Sequence, residues 1–168
     1  VYDGAPTVNG IIALTNNYGA YYGSKGSGTL TNAILRSNTS YGAYVDTGSG
    51  SQTVNFTNCT VTANSGTGIY SYAAAGSTLV VNVKNSIVTG NSSYGIYRNA
   101  GGGGSITVTA TYNDVWNNSS GNYSGLAAGV GSVSVNPLFV SATDLHFQSF
   151  STVIDAGMRK PLDLKIHV

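Results

Sequence analysis

Apolar residues alternate with polar ones in short runs. Val54 and Phe56, Val81 and Val83, and Val108 and Ala110 are the apolar members of three such runs. A period of two marks a strand with one face turned inward. Gly and Ser clusters bound each run and read as turns, and the glycines from Gly101 to Gly104 form a loop between two of them. No stretch carries a 3.6-residue period with caps. The pattern predicts many short strands and no helix.

These runs belong to a repeat. Asn32-Ala33-Ile34-Leu35-Arg36-Ser37-Asn38 aligns with Asn58-Cys59-Thr60-Val61-Thr62-Ala63-Asn64 and with Asn85-Ser86-Ile87-Val88-Thr89-Gly90-Asn91. Tyr112-Asn113-Asp114-Val115-Trp116-Asn117-Asn118 is a more divergent copy. Asn38, Asn64, Asn91 and Asn118 recur at steps of 26, 27 and 27. A Gly-apolar-Tyr triplet follows the first three at Gly42, Gly68 and Gly95; Gly19-Ala20-Tyr21 extends the series backwards and Gly121-Asn122-Tyr123 is a weaker later copy. A fixed period in this range marks a solenoid. Coils stacked at ~4.8 Å form parallel sheets around a continuous interior, with identical residues above one another. Stacked Asn side chains can then pass amide hydrogen bonds up the column. Leu35, Val61, Val88 and Val115 are the expected inward column. A propeller blade needs a period of roughly 40 residues or more, too long for this repeat, and a sandwich does not explain the ladder of Asn and Gly.

Composition narrows the partners. Charged residues make up 8% of the 168 residues, the net charge is +1, and all six acids are Asp. The seven Lys and Arg are scattered, so there is no basic stripe for nucleic acid. No apolar run reaches the ~20 residues of a spanning helix, so membrane insertion is not expected. The one cysteine, Cys59, has no partner for an internal disulfide and reads as a small buried side chain. The Asn- and Ser-rich, charge-poor composition points to an extracellular or cell-surface location. Sequons such as the one at Asn91 arise by chance in such turns and do not establish glycosylation.

The repeated Asn-x-Ile-Val-x-x-Asn with Gly-Ile-Tyr resembles the right-handed parallel β-helix repeat proteins of secreted and surface-exposed bacterial and archaeal chains, within the pectate-lyase-like superfamily. The closing stretch carries the likeness further. It comprises Tyr112 to Trp116, Gly121 to Gly125, Asn136-Pro137-Leu138-Phe139-Val140, Leu145-His146-Phe147-Gln148 and Val153-Ile154-Asp155-Ala156-Gly157. The resemblance covers roughly residues 29–157 and implies the fold but no single activity, since this scaffold serves lyases, hydrolases, epimerases, tailspikes and adhesins. Family chains usually continue past the Ile-Asp-Ala-Gly stretch into a final coil, so a fragment of a longer protein is expected. The expected fold class is therefore all-β, a right-handed parallel β-helix of about 26–27 residues per coil and roughly six coils. It is read as one domain over 1–168, with an N-terminal coil (1–28), regular coils (29–132) and a divergent C-terminal coil and tail (133–168).

Catalytic chemistry finds little support in the residues. Lyases of this scaffold hold calcium between clustered carboxylates beside a Lys or Arg base, and such a site needs several converging oxygens. Asp46, Asp114, Asp144 and Asp155 fall in different turns. Asp46, stacked with Tyr72 and Asn99 beside Arg98, reads as a surface ion pair. Paired glycosidase carboxylates are missing, His146 and His167 lack a Ser or Cys partner, and Lys84 sits about three residues out of line with Asp114, near 10 Å. No catalytic residue, metal site or cofactor is expected.

The tyrosines are the stronger feature. Twelve are present. Tyr21, Tyr44, Tyr70, Tyr97 and Tyr123 recur with the coils, and alternation turns them outward if Ala20, Ala43, Ile69 and Ile96 point inward. With Tyr18, Tyr41 and Tyr94 beside them they predict an aromatic face. Flat rings beside hydroxyl and amide groups suit sugars; stacking that merely stabilises the sheet is the plainer explanation. The expected function is non-catalytic binding of polysaccharide or a cell-surface polymer through Tyr21, Tyr41, Tyr44, Tyr70, Tyr94, Tyr97 and Tyr123. The alternatives are a fragment of a polysaccharide lyase or hydrolase with its catalytic coils elsewhere, and a structural solenoid that assembles end to end with further coils.

Overall fold

The computed structural model describes residues 3–154, which form strands and turns with no helix. Three parallel sheets of five strands each wind around one interior. Sheet 1 stacks Thr7–Asn9, Gly28–Thr31, Ser51–Thr57, Thr78–Lys84 and Ser105–Thr111. Sheet 2 stacks Ile12–Leu14, Ile34–Arg36, Thr60–Thr62, Ile87–Thr89 and Asp114–Trp116. Sheet 3 stacks Tyr18–Gly23, Tyr41–Thr47, Ile69–Ala73, Tyr94–Asn99 and Gly121–Ser124. A strand pair, Asp3–Gly4 with Lys25–Gly26, closes the first coil.

The stack makes about four turns, not the six coils expected. The segment after Val133 accounts for the difference, because within the described residues it adds no strand to the three sheets. Its β-bridges with the coil and with itself are isolated ones, Asp114 with Val133 and Phe139 with Phe147.

Of the three corners in each coil, the two that flank sheet 2 repeat most regularly. Between sheets 1 and 2 the chain turns through a left-handed residue, Asn32, Asn58, Asn85 or Tyr112, with φ of 51°, 55°, 49° and 57°. Asn tolerates this conformation better than most residues, which explains its repetition there. The second corner follows sheet 2, and after it lies the interior amide ladder. Asn38 Nδ2 donates to Asn64 Oδ1 at 2.9 Å, Asn64 to Asn91 at 2.8 Å and Asn91 to Asn118 at 2.8 Å. Each Asn also accepts a backbone N–H from the preceding coil, as Asn91 Oδ1 does from Asn64. The ladder thereby satisfies the polar groups of a corner that water does not reach.

The interior beside the ladder is a column of Leu35, Val61, Val88 and Val115, all fully buried and in register. This column and the ladder together explain the repeated glycine. A Cβ on Gly42 would lie 2.3 Å from Val61 Cγ1 and 2.8 Å from Asn64 Nδ2, and one on Gly68 would lie 2.7 Å from Val88 Cγ1 and 2.8 Å from Asn91 Nδ2. Phe56, Leu30 and Val83 fill the side facing sheet 1, and Cys59 is buried there as expected.

From Val133 the chain leaves the coil and crosses the outer face of sheet 2. Val133 pairs with Asn113 and Val115 at the last coil. Further on, the Arg36 guanidinium of the second coil donates to the carbonyls of Ala142 and Thr143 at 3.0 and 2.9 Å. Phe139 and Phe147 stack within this segment, which then returns to Val153 beside Asp114.

Candidate functional site: the tyrosine face

The outward residues of sheet 3 follow from the ladder behind them. Because Gly42, Gly68 and Gly95 face the ladder and Ala43, Ile69 and Ile96 face the core, the residues on either side of each pair turn outward. Tyr21, Tyr44, Tyr70 and Tyr97 therefore stand in one register column. Tyr18 and Tyr41 begin a second. Continuing the register of Ala43, Ile69 and Ile96 by two residues puts Thr67 between Tyr41 and Tyr94.

The rings pack along the stack and are half-buried by one another. Tyr44 and Tyr70 lie nearly parallel, 5.2 Å apart at 4°, and Tyr41 sits 5.1 Å from Tyr70. Tyr97 turns perpendicular to Tyr70, at 88°. Thr67, itself buried, lacks the ring its neighbours in the column carry. A groove of about 270 Å³ opens there, walled by Tyr41, Tyr70, Tyr94 and Tyr97, floored by Thr67 and rimmed by Ser40, Ser65 and Ser93. The combination of aromatic walls with a hydroxyl rim gives a ligand both stacking surface and hydrogen-bond partners.

The electrostatics of the face are simple. Burial pushes the Tyr44 and Tyr70 phenols above the ordinary tyrosine value; Asp46 adds to this for Tyr44, while the bond from Asn99 opposes it for Tyr70. They stay neutral and able to donate or accept. Asn99 Nδ2 donates to the Tyr70 hydroxyl at 2.6 Å. Asp46 pairs in register with Tyr72, and burial raises its carboxyl too.

Two expectations are corrected. Tyr123 does not extend the outward column. It stands in register with Ile96, and Ser124 takes the place beside Tyr97. Gly121 follows Asn118 by three residues, whereas Gly95 follows Asn91 by four, and a one-residue slip turns a side chain to the other face. Tyr123 packs against the core instead. Asp46 and Arg98 do not form the expected ion pair. Arg98 shares its register column with inward Ser71 and Val45, and its guanidinium bonds the carbonyls of Ile106 and Gly125.

The remaining chemical candidates are dispersed. Asp46 lies on sheet 3, Asp114 on sheet 2 and Asp144 in the crossing segment, paired with exposed His146. Lys84 pairs with Thr111 while Asp114 pairs with Ile87, three residues out of line. Among the described residues no three His, Cys, Asp or Glu side chains converge. Asp155 and His167 lie outside the described residues. Sequence reasoning missed the groove over Thr67, although the signal was there: three residues before each column tyrosine comes Tyr18, Tyr41, Thr67 or Tyr94.

Three parallel sheets wound around amide and valine columns define the chain as a parallel β-solenoid. A family model described as the right-handed β-helix region matches residues 2–113, more than half of the chain, and the chain belongs to that family. No curated protein and no solved structure matches it.

Proposed function

We propose that this β-helix is a non-catalytic, extracellular or cell-surface module that binds polysaccharide or another surface polymer through its tyrosine face. The observation that carries the reading is the groove over Thr67, where four tyrosine rings and three serine hydroxyls surround one opening. A sugar ring presents apolar C–H faces to aromatic rings and hydroxyls to its rim. Coils repeating at ~4.8 Å continue the aromatic strip beyond the groove, as an extended polymer requires. The neutral phenols and the single carboxylate at the edge favour neutral or cationic chains over polyanions.

Sedimentation with insoluble polysaccharides of different charge tests the proposal. The chain is expected to co-sediment with at least one neutral or amino-bearing polymer, and Tyr44→Ala, Tyr70→Ala and Tyr97→Ala together should abolish this. Unchanged binding by the triple variant would sink the tyrosine face as the site. Failure to bind any polymer would favour the structural solenoid, and release of reducing or unsaturated sugars by this chain would favour the enzyme-fragment reading.

A further inference from the structure

We infer that the segment from Val133 to Ile154 is a displaceable cover on sheet 2, latched to the last coil by Asp114: closed while that carboxyl is neutral and open once it is charged.

Asp114 occupies the outward column of sheet 2, in register with Ile87, and the cover leaves it only 5% exposed. Its Oδ1 accepts the Val135 N–H at 3.0 Å. Its Oδ2 is buried with no hydrogen-bond partner. One coil away, Asn85 Oδ1 is orphaned as well. The corner Asn ladder explains this second orphan. Asn32 donates to Asn9 and Asn58 to Asn32, but Tyr112 occupies the corner position that would have donated to Asn85. Both residues line one partly open cavity of about 170 Å³ under the cover, to which Val133, Phe147 and Val153 contribute from the cover's side.

No described Lys, Arg or His lines that cavity. From the sheet Asp114 faces Ile87, Ser86, Asn85 and Tyr112; from the cover it faces Val133, Val135, Phe147 and Val153. The other titratable groups near it are two phenols, Tyr112 in the cavity lining and Tyr123, whose pKa is raised mainly by burial, with Asp114 contributing. A charged Asp114 therefore has no counter-charge from these residues and no protein donor for Oδ2, and burial pushes its carboxyl up to about 6. The pKa is higher closed than open, so the closed state is favoured at low pH, and that advantage fades as pH rises through about 6.

The packing of the cover agrees with a part that can lift. Open grooves of about 480 and 430 Å³ run along the same seam, one against Trp116 and Thr89, the other against Ile12 and Ile34, so solvent reaches the edge where the cover meets the sheet. The polar bonds that tie the cover down cluster at its start, where Val133 pairs with Asn113 and Val115, Asn122 donates to Ser134 and Val135 donates to Asp114, and at its middle, where Arg36 holds Ala142 and Thr143; Phe150 is left largely exposed.

Amide hydrogen exchange at about pH 4 and about pH 8, corrected for intrinsic rates, tests the latch. Protection of the Val133 and Val135 amides should fall by tens of fold at the higher pH, within the roughly hundredfold that two pKa units carry. The coil amides of Thr60 and Ile87 should keep theirs. Asp114→Asn should hold both cover amides protected at either pH. Should that variant misfold, Asp114→Thr, which copies Thr60 of the same column, serves instead. Equal protection at the two pH values, or a pH dependence that survives removal of the carboxyl, would overturn the latch.

Discussion

Sheets 1 and 3 share every coil and the same interior, yet their outer faces differ in kind. Sheet 1 turns hydroxyls and amides to water: Thr29 and Thr31, then Thr53, Asn55 and Thr57, then Thr107, Thr109 and Thr111, with Lys84 as its one charge. Its order is local, as where Asn82 Nδ2 donates to Asn55 Oδ1 at 2.9 Å. Sheet 3 turns out tyrosines, which half-bury one another and open a groove where Thr67 breaks the column. The inward positions are constrained by the stack and the outward ones are not. A solenoid can fold with either surface, so under the proposed reading the chemical difference between the faces reflects what each one meets.

The largest effect should come from the frame that both faces share. Asn91 donates to Asn118 Oδ1 and to the Val61 carbonyl, and accepts from both the amide and the backbone of Asn64. Asn91→Ala strands several buried groups at once and should lower stability by roughly 3–5 kcal/mol in denaturant unfolding. Both faces should fail together in that variant.

Next in size is a change that touches neither face. Asp114→Asn removes the ionisable group from under the cover and should raise stability at about pH 8 by up to about 3 kcal/mol. The gain should vanish near pH 4, where the native carboxyl is already neutral. Thermal unfolding across that pH range checks it.

A smaller effect separates the faces. Tyr70 packs against the rings of Tyr41, Tyr44 and Tyr97, so Tyr70→Ala should lower stability by about 1–2 kcal/mol while removing polymer binding. The smallest belongs to sheet 1. Thr107→Ala and Thr109→Ala alter exposed positions and should stay within about 0.5 kcal/mol, with binding intact.

The features legible in the sequence are those that stacking forces to be identical. The ladder from Asn38 to Asn118 and the column from Leu35 to Val115 stand where the repeat put them, because each has one solution per coil. The glycine column was visible, but its cause was not, since the close approach to Val61 and Asn64 exists only once the coils stack. Tyr123 was misplaced although its step of 26, against 27 for Asn118, already carried the slip. The path after Val133 was hidden for a different reason. Residues 133–154 have no counterpart in the repeat, and bonds such as Arg36 to Ala142 join positions 106 apart. The buried, partnerless oxygen of Asp114 is a product of that path and could not be foreseen without it.

The most direct test of a tyrosine binding face is a backbone amide shift map recorded while a soluble fragment of the sedimenting polymer is titrated in. Shifts should concentrate at Thr67, Tyr70, Tyr94 and Tyr97 and leave Thr53, Thr107 and Thr109 unmoved. Shifts centred on the threonines of sheet 1, or spread equally over both faces, would contradict the account.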